Sequence, residues 1–395
     1  MKISASKYIL FSSVIAIFSE AIYFKFLIDW KLFYLIIIVN FYLLNRLKKI
    51  TLDKNFFYLF LFLFFHGVCV SLLYGIPIKS LFSQLIGISV LATYYYNFVN
   101  HYSKTELVKT YTDISFVVAL IGYPLLLFGF TNDGIRFQSI FTEPAHYAIV
   151  VLPACYYYFK EKKYSRFLVL FGSLILSQSS IGYIGCLLMI CLPLINRKRI
   201  LLFLSLLPFL VLVSILVYQK NPRVNLRVTQ TYESLKALKT GKFKYETNVS
   251  TYALLSNMFV AKENFLDHPL GTGLGSHHHM YTEKYYNKIR PPSYLITLEH
   301  DKINSQDAAS LFLRLLSDLG IFGLLLILFF IFITIKLFGL NNLNIEQGIA
   351  IYILLKLIRD GHYFPPEFYF FMFIFYLSIK DKINTSYNEK HISYN

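Results

Sequence analysis

Long apolar runs separated by short polar segments constrain this 395-residue chain more than any other feature. A helix that crosses a membrane needs about 17–25 largely apolar residues. Twelve runs come close to that length, at about 8–27, 31–46, 56–74, 78–99, 113–130, 144–159, 165–178, 181–196, 200–218, 309–335, 347–359 and 367–380. With 56% hydrophobic and only 15% charged residues, the chain lacks the polar surface of a soluble protein. The sequence therefore predicts an all-α integral membrane protein with about twelve transmembrane helices.

Basic residues in the short connections predict how these helices cross the membrane. Lys and Arg concentrate in cytoplasmic loops. If the N-terminus is cytoplasmic, 19 basic residues fall in the inside segments and 5 in the short outside segments. The opposite orientation reverses that ratio, so we expect both termini to be cytoplasmic in a multi-pass protein of the cell inner membrane. The formal net charge of +16 then reflects topology and contact with membrane lipid, and no nucleic-acid partner is predicted.

This orientation divides the chain into parts with different exposure. The predicted parts are transmembrane helices 1–9 in residues 1–218 with a short functional outside loop at 131–143, a large periplasmic loop at 219–308, transmembrane helices 10–12 at 309–380, and a cytoplasmic tail at 381–395. The long loop contains two helical patterns, near 226–239 and 250–266. A loop of this length usually carries function.

The stretch "RFQSIFTEPAHYAIVVLP" places polar residues directly before an apolar run. Pro144 suits the first turn of a helix, and Glu143 there meets the positive end of the helix dipole. Arg136 could equally anchor the loop to lipid headgroups. The other interpretation is a reaction site at the membrane surface, and local sequence leaves both open. His146 lies one turn into the helix, where a packed, hydrogen-bonded histidine is more common than a base.

The long loop offers arginines and a glycine-rich turn. Arg223 and Arg227 are candidates for binding phosphate, because the guanidinium fork matches two oxygens. The stretch "HPLGTGLGSHHHMY" at 268–281 resembles a phosphate loop only weakly, since no strand precedes it. Three consecutive histidines cannot all face one ion, so a tight turn is favoured and no metal site is predicted.

The stretch "EHDKINSQDAASLFLRLLSDLGIFGLLL" closes the long loop and enters the tenth span. Arg314 and Asp318 are spaced i, i+4 inside an apolar helix, where charge is costly. We therefore expect Arg314 to face the interior and to contact Asp318 or a lipid-linked phosphate. His300 and Asp307 precede this helix. A smaller outside cluster near the last two spans consists of Arg359, Asp360, His362 and Glu367.

Three motifs taken in order resemble one family. "RFQSIFTEPAHYA" before a span, "DHPLGTGLGS" late in the long loop and "SLFLRLLSDLGIFGLLL" at its end are similar to the O-antigen polymerases (Wzy), relatives of the O-antigen ligases. The resemblance implies a polyprenyl-linked glycosyltransferase, an oligosaccharide repeat unit polymerase, on the outer face of the cytoplasmic membrane. It would transfer a growing glycan from undecaprenyl pyrophosphate to the non-reducing end of a new lipid-linked repeat unit. The product would be O-antigen of lipopolysaccharide or capsular polysaccharide.

The resemblance also implies roles for the candidate residues. Glu143 and His300 are the alternatives for the base that deprotonates the acceptor hydroxyl. The pyrophosphate would be held by Arg136, Arg223, Arg227 and Arg314. Supporting positions are Pro144, His146, Asp307 and Asp318. No cofactor or metal is implied, and the expected partners are both undecaprenyl-pyrophosphate-linked glycans, membrane lipid, a chain-length regulator protein and a flippase.

Two departures weaken the ligase alternative. Ligase-like relatives carry a His-Asn pair just before the "LFL" stretch, where this chain has Ala309 and Ser310. They also tend to place an arginine on the helix before the "HP" turn, where this chain reads "TYALLSN". An O-antigen ligase-type transferase and a lipid-linked oligosaccharide flippase are the alternatives, together with a glycan-binding structural protein. A flippase usually shows repeated halves and broken helices, and the sequence shows neither pattern.

Overall fold

The computed structural model describes the backbone of residues 4–26, 28–131, 134–194, 200–220, 222–340 and 342–392. These residues are mostly helical, which confirms the predicted helical fold. The helices are α1 Ala5–Ile17, α2 Leu32–Leu47, α3 Lys54–Tyr74, α4 Ile78–His101, α5 Lys104–Leu127, α6 Pro144–Lys160, α7 Tyr164–Leu176, α8 Ser180–Cys191, α9 Ile200–Lys220, α10 Pro222–Ser234, α11 Ala237–Thr240, α12 Val249–Asp267, α13 His277–His279, α14 Ser293–Thr297, α15 Leu311–Leu319, α16 Ile321–Phe338, α17 Asn344–Ile358 and α18 Pro366–Ile392. The described strands, β1 (Tyr23–Phe26) and β2 (Ile28–Lys31), form one antiparallel hairpin.

Helix length and composition identify a membrane protein. Within the described residues, α3, α5 and α16 are each long and apolar enough to cross a membrane. Further apolar helices of 10–17 residues are Ala5–Ala16, Leu32–Leu47, Tyr164–Leu176 and Ser180–Leu194. The predicted total of about twelve spans and the predicted orientation stay predictions.

The first predicted span, 8–27, is wrong in its second half. The helix α1 ends at Ile17, and the chain continues into the β1–β2 hairpin. The hydroxyl of Ser19 donates a hydrogen bond to the carbonyl oxygen of Ala16 at 2.9 Å. A serine side chain bonded in this way competes with the helical backbone pattern, which favours a helix end.

The tenth predicted span, 309–335, is two helices rather than one. Gly320 lies between α15 and α16 with φ 58°, a conformation that glycine adopts without strain. A side chain at Gly320 would overlap the backbone of Pro269 and Gly271. The break therefore lets the glycine-rich turn approach the helix backbone closely.

Helix α6 is largely buried and packs against α17, α7 and α8. The backbones of α6 and α17 approach closely because Gly348 has no side chain to hold Pro153 away. The hydroxyl of Tyr156 donates to Oε1 of Gln347 at 2.6 Å. Polar groups inside a membrane bundle need such partners, since lipid offers none.

Several connections meet at one end of the helix bundle, which we call the polar end. They comprise residues 18–26, 28–31, 134–143, 177–179, 222–310 and 359–365, together with the adjoining helical residues His146, Arg314, Asp318 and Glu367. The backbone N–H of Phe137 donates to the carbonyl oxygen of Leu176 at 3.0 Å, and that of Asp360 donates to the carbonyl oxygen of Ala309 at 3.0 Å. These bonds join segments that are far apart in the sequence.

The long polar segment has an apolar core of its own. Helices α10, α11 and α12 occur where the sequence predicts helical patterns. The buried side chains of the core are Tyr252, Phe259, Val260, Met280, Tyr281, Tyr285, Ile289 and Leu295, and Ile76 from the α3–α4 turn packs with them. The segment therefore folds as a unit that is docked on the membrane helices.

Candidate active site

Arg314 lies at the centre of the polar end, with only 3% of its side chain exposed. Its Nη1 donates to the carbonyl oxygen of Gly361 at 2.8 Å, and its Nη2 donates to Oε1 of Gln84 at 3.0 Å. Its Nε lies 3.8 Å from Oδ2 of Asp318, and the guanidinium carbon lies 3.9 Å from the ring centroid of Tyr363. The arginine therefore joins α4, α15 and the connection before α18. Nη1 and Nη2 each bind one protein acceptor, while Nε has no hydrogen-bond partner among the described residues.

The glycine-rich turn wraps around Asp318. The carboxylate Oδ2 accepts hydrogen bonds from the N–H of Gly275 at 2.9 Å and from the hydroxyl of Tyr363 at 3.2 Å. The N–H of Gly273 donates to the Asp318 carbonyl oxygen at 2.8 Å. Gly271, Gly273 and Gly275 all have positive φ. The turn interpretation is confirmed, because the glycines allow backbone to surround a buried carboxylate.

The neighbouring histidines face different partners. Nε2 of His277 lies 3.0 Å from Oδ1 of Asn257 and must carry the proton, since an amide oxygen only accepts. Burial, and then the charge of Arg314, lower the pKa of His277 to about 3. Nδ1 of His278 lies instead 2.8 Å from the hydroxyl of Ser305. The two rings do not converge on one point where an ion could bind.

The side chains of Asp307 and His362 form an ion-pair contact, which we call the Asp–His dyad. Nε2 of His362 lies 3.2 Å from Oδ2 of Asp307, and the two side chains are 60% and 10% exposed. The other oxygen of Asp307 accepts from the N–H of Ala309 at 3.1 Å. Oδ1 of Asp360 accepts from the N–H of His362 at 3.0 Å, which fixes the histidine backbone. The dyad therefore has an immobilised acid and an accessible imidazole.

A polar pocket of about 340 Å³ opens beside the dyad. Its lining consists of His278, Lys302, Asn304, Ser305, Gln306, Asp307 and His362. Asn304 and Asp360 have φ values of 56° and 87°, and Ala308 and Ala309 also have positive φ. Backbone strain of this kind persists only where the surroundings enforce it, and it concentrates at functional sites.

Asp307, Asp360 and His362 offer donor atoms that all lie within 4.8 Å of one another. That spacing would suit a cation. However, Oδ2 of Asp360 already accepts from Nζ of Lys356 at 2.6 Å. Burial raises the pKa of Asp360, but the charges of Lys356 and His362 outweigh burial and hold the pKa below its ordinary value. A lysine ammonium in contact with the cluster competes with a metal ion for the same oxygen, so these residues do not fit a metal centre well.

A second histidine, His146, lies between two carboxylates. Its Nδ1 forms an ion pair with Glu20, and its Nε2 lies 2.9 Å from Oε1 of Glu367. Nζ of Lys31 also contacts Glu20 at 3.0 Å. This set, which we call the His146 clamp, links the hairpin region, α6 and α18. Both ring nitrogens of His146 are used, and Glu367 is 1% exposed.

The loop before α6 packs on the α7–α8 turn. Nε of Arg136 donates to the carbonyl oxygen of Ser177 at 3.3 Å. Glu143 is exposed at the N-cap of α6, makes no capping hydrogen bond, and is followed by Pro144 in the first turn. Glu143 interacts electrostatically with Arg359. Burial lowers the pKa of Arg359, and the negative charge of Glu143 partly offsets that lowering.

Residues 166–328 match the family model Wzy_C, which is described as O-antigen ligase. This part, which is less than half of the chain, is similar to the O-antigen ligase family. The match confirms the resemblance to the Wzy and O-antigen ligase family and supports a glycan-transferring membrane enzyme involved in polysaccharide biosynthesis. No curated protein and no solved structure matches the chain.

The range matched by the family model supplies only part of the polar end. Asp307, Arg314 and Asp318 lie inside the matched range, as do the pocket residues from His278 to Gln306. His362 and the His146 clamp lie outside it. The candidate site is therefore composite, since segments before and after the matched range complete it.

The remaining predicted residues of the matched range are more peripheral. His300 is exposed, and its backbone N–H donates to the carbonyl oxygen of Leu295 at 2.8 Å. Arg223 and Arg227 belong to α10, but their side chains lie outside the described residues. The structure brings Arg314 to Asp318 and Asp307 to His362, but it gives no contact between His300 and either pair.

Sequence reasoning missed several partners in the site. Gln84, Glu20 and Lys356 are polar residues inside or next to apolar runs, and each contacts a residue of the polar end. A polar or charged residue within an apolar run was the available signal, since burial there demands a partner. The cluster of Asp360, His362 and Glu367 was recognised, but no role followed from the sequence.

Proposed function

We propose that this protein polymerises undecaprenyl-pyrophosphate-linked oligosaccharide repeat units into O-antigen or capsular polysaccharide. The growing glycan on one lipid carrier is transferred to the non-reducing end of a repeat unit on a second carrier. The observation that carries the proposal is the polar pocket with its Asp–His dyad. It is built largely by the range matched by the family model, at the end of an apolar helix bundle.

The position of the site suits lipid-linked substrates. Their pyrophosphates lie level with lipid headgroups, while their sugars extend into water. Arg136 lies in the loop that meets the α7–α8 turn, so it is our candidate for holding the leaving pyrophosphate. Arg223 and Arg227 on α10 remain candidates to assist it. Arg314 fits a positioning role better, because it is buried and its Nη1 and Nη2 each bind a protein acceptor.

A ligase-type transfer is the second candidate, since it uses the same donor and the matched family carries that description. The polymerase proposal is favoured by the segment before α15. Ala309 and Ser310 occupy the place of the His-Asn pair of ligase-like relatives, and they are 1% and 2% exposed. The reaction takes place on the outer face of the inner membrane under this proposal, with a chain-length regulator and a flippase as partners.

Deletion of the gene in its native host, with the full chain restored from a plasmid, tests the proposal. We expect surface glycan consisting of single capped repeat units in the deletion strain and a full ladder after restoration. Absence of surface glycan with lipid-linked polymer accumulating would indicate a ligase. Absence of surface glycan with lipid-linked single units retained on the inner face would indicate a flippase.

A further inference from the structure

His362 and Asp307 have the arrangement of a general base and the group that orients it. Nε2 of His362 lies 3.2 Å from Oδ2 of Asp307, and this close contact favours the proton on Nε2, because a carboxylate oxygen only accepts. The other ring nitrogen, Nδ1, is then the proton acceptor. We infer that His362 is the catalytic base of the glycan transfer, with Asp307 as its positioning residue. This inference rests on the proposed function and names residues that act in it.

The backbone around the dyad holds the two residues in register. The N–H of Asp360 donates to the carbonyl oxygen of Ala309, so the chain before His362 runs beside the chain after Asp307. A side chain at Gly361 would overlap the carbonyl oxygen of Asp307. Arg314 in turn donates to the carbonyl oxygen of Gly361 at 2.8 Å. The separation of acid and base is therefore set by main-chain packing as well as by their own ion-pair contact.

The pocket beside the dyad fits a sugar rather than a lipid chain. Its volume of about 340 Å³ lies in the range of about 300–1,000 Å³ that is typical of small-molecule sites. The amides of Asn304 and Gln306 and the hydroxyl of Ser305 offer donors and acceptors for hydroxyl groups. A polyprenyl chain would find no extended apolar wall among these side chains. We assign this pocket to the non-reducing terminal sugar of the acceptor repeat unit.

The transfer step then balances as follows. Nδ1 of His362 takes the proton from a hydroxyl of the acceptor sugar. The hydroxyl oxygen forms a bond to the anomeric carbon of the donor glycan, and the bond from that carbon to undecaprenyl pyrophosphate breaks. The pyrophosphate leaves with the electron pair, and the imidazolium releases its proton to water. The products are the elongated lipid-linked glycan, undecaprenyl pyrophosphate and one proton.

Two other residues could take the proton, and their surroundings favour them less. His300 is exposed, and its side chain is not among the residues that line the pocket. Glu143 is also exposed and lies at the start of α6, where it interacts electrostatically with Arg359. His362 lines the pocket and is oriented by an immobilised carboxylate, which is the geometry that general-base catalysis needs.

The test uses full-length variants in membranes from the deletion strain, which hold the host's own lipid-linked repeat units. We expect His362→Ala to lower the rate of glycan transfer by about 10²-fold or more, the usual scale for losing a general base. Added imidazole should restore part of that rate, because it replaces the missing base. His101→Ala is the matched control, because it removes a histidine side chain at the last residue of α4. This variant should keep the wild-type rate.

A second variant tests the role of Asp307. Asp307→Asn should lower the rate, and the double variant with His362→Ala should be no slower than His362→Ala alone, because the pair acts as a unit. A purely structural role of Asp307 would make the two losses add. Protein level and detergent melting temperature are measured for every variant, and only folded variants are compared.

Three results would overturn the inference. They are a wild-type rate in His362→Ala, a loss in His362→Ala that imidazole does not restore, and an equal loss in His300→Ala that imidazole does restore. Loss of activity with EDTA and recovery with Mg²⁺ would assign the cluster to a metal instead. If wild-type membranes transfer single glycans without making polymer, the proposed function has failed. The same variants then test the base in that transfer.

Discussion

The His146 clamp and the Asp–His dyad both place a histidine against carboxylates at the polar end, but with opposite exposure. His146 is 14% exposed and uses both ring nitrogens, whereas His362 is 60% exposed and uses one. A histidine with both nitrogens bonded to carboxylates has no acceptor left for a substrate proton. A histidine beside a pocket that uses only one ring nitrogen still has an acceptor for such a proton. The comparison teaches that the first arrangement suits cohesion between helices, whereas the second suits the proton transfer that we propose.

The largest expected effect is a loss of protein stability when the His146 clamp is broken. His146→Ala leaves the buried Glu367 without its cationic partner, and breaking a buried ion pair typically costs about 3–5 kcal/mol. We expect a strongly lowered detergent melting temperature and low protein level. The double variant His146→Leu with Glu367→Leu is the control, since it removes both charges and should recover most of the stability. Normal stability of His146→Ala would show that the clamp does not hold the helices together.

The next effect concerns the spacing of the dyad. Gly361→Ala adds a methyl group where the carbonyl oxygen of Asp307 lies, and must push the two segments apart. A misplacement of about 1 Å at a reacting group can lower a rate by about 10²-fold. The rate of glycan transfer and the melting temperature are measured together, with Gly129→Ala as a control at an open position of positive φ. Full activity in Gly361→Ala would contradict a dyad set by backbone packing.

A smaller effect is expected for Arg314→Lys. Lysine keeps the charge but cannot bond the carbonyl oxygen of Gly361 and the side chain of Gln84 with one fork. The loss of one buried hydrogen bond should lower the free energy of unfolding by about 1–3 kcal/mol. We also expect a shorter glycan ladder. Gln84→Leu should give a similar loss of melting temperature if Arg314 positions other residues. Unchanged melting temperature with lost binding of undecaprenyl pyrophosphate would instead make Arg314 a direct phosphate ligand.

The smallest effect is expected for Glu143→Gln. This change keeps the shape of the side chain and removes its charge. If His362 is the base, transfer should fall by less than about tenfold, because only the electrostatic support of Arg359 is lost. A fall of about 10²-fold or more, measured in the same membranes, would return the role of the base to Glu143.

The sequence predicts the helices of this fold well, because apolar runs and their ends are local features. The helical pattern, the turn between α7 and α8 and the presence of a tight turn at the glycines all follow from neighbouring residues. The break at Gly320 was not predictable in the same way. Its cause is the approach of Pro269 and Gly271, which are distant in the sequence.

The candidate site was predictable only in part, because its contacts depend on which helices become neighbours. Arg314 and Asp318 are four residues apart, so their proximity follows from helix geometry. His146 and Glu367 are separated by 221 positions, and no local pattern pairs them. The role of His362 likewise emerges only when the connection before α18 is packed against Asp307.

The enclosure of α6 has a consequence for how the protein is made. Tyr156 bonds to Gln347, 191 positions later, and His146 bonds to Glu367. If α6 crosses the membrane, as the sequence predicts for 144–159, it is inserted long before the helices that satisfy its polar groups exist. Until α17 and α18 are inserted, those groups lack their final partners in a medium that offers few others. A chain that is truncated before α17 should thus be recognised and degraded by membrane quality control, while the complete chain protects its own earlier helices.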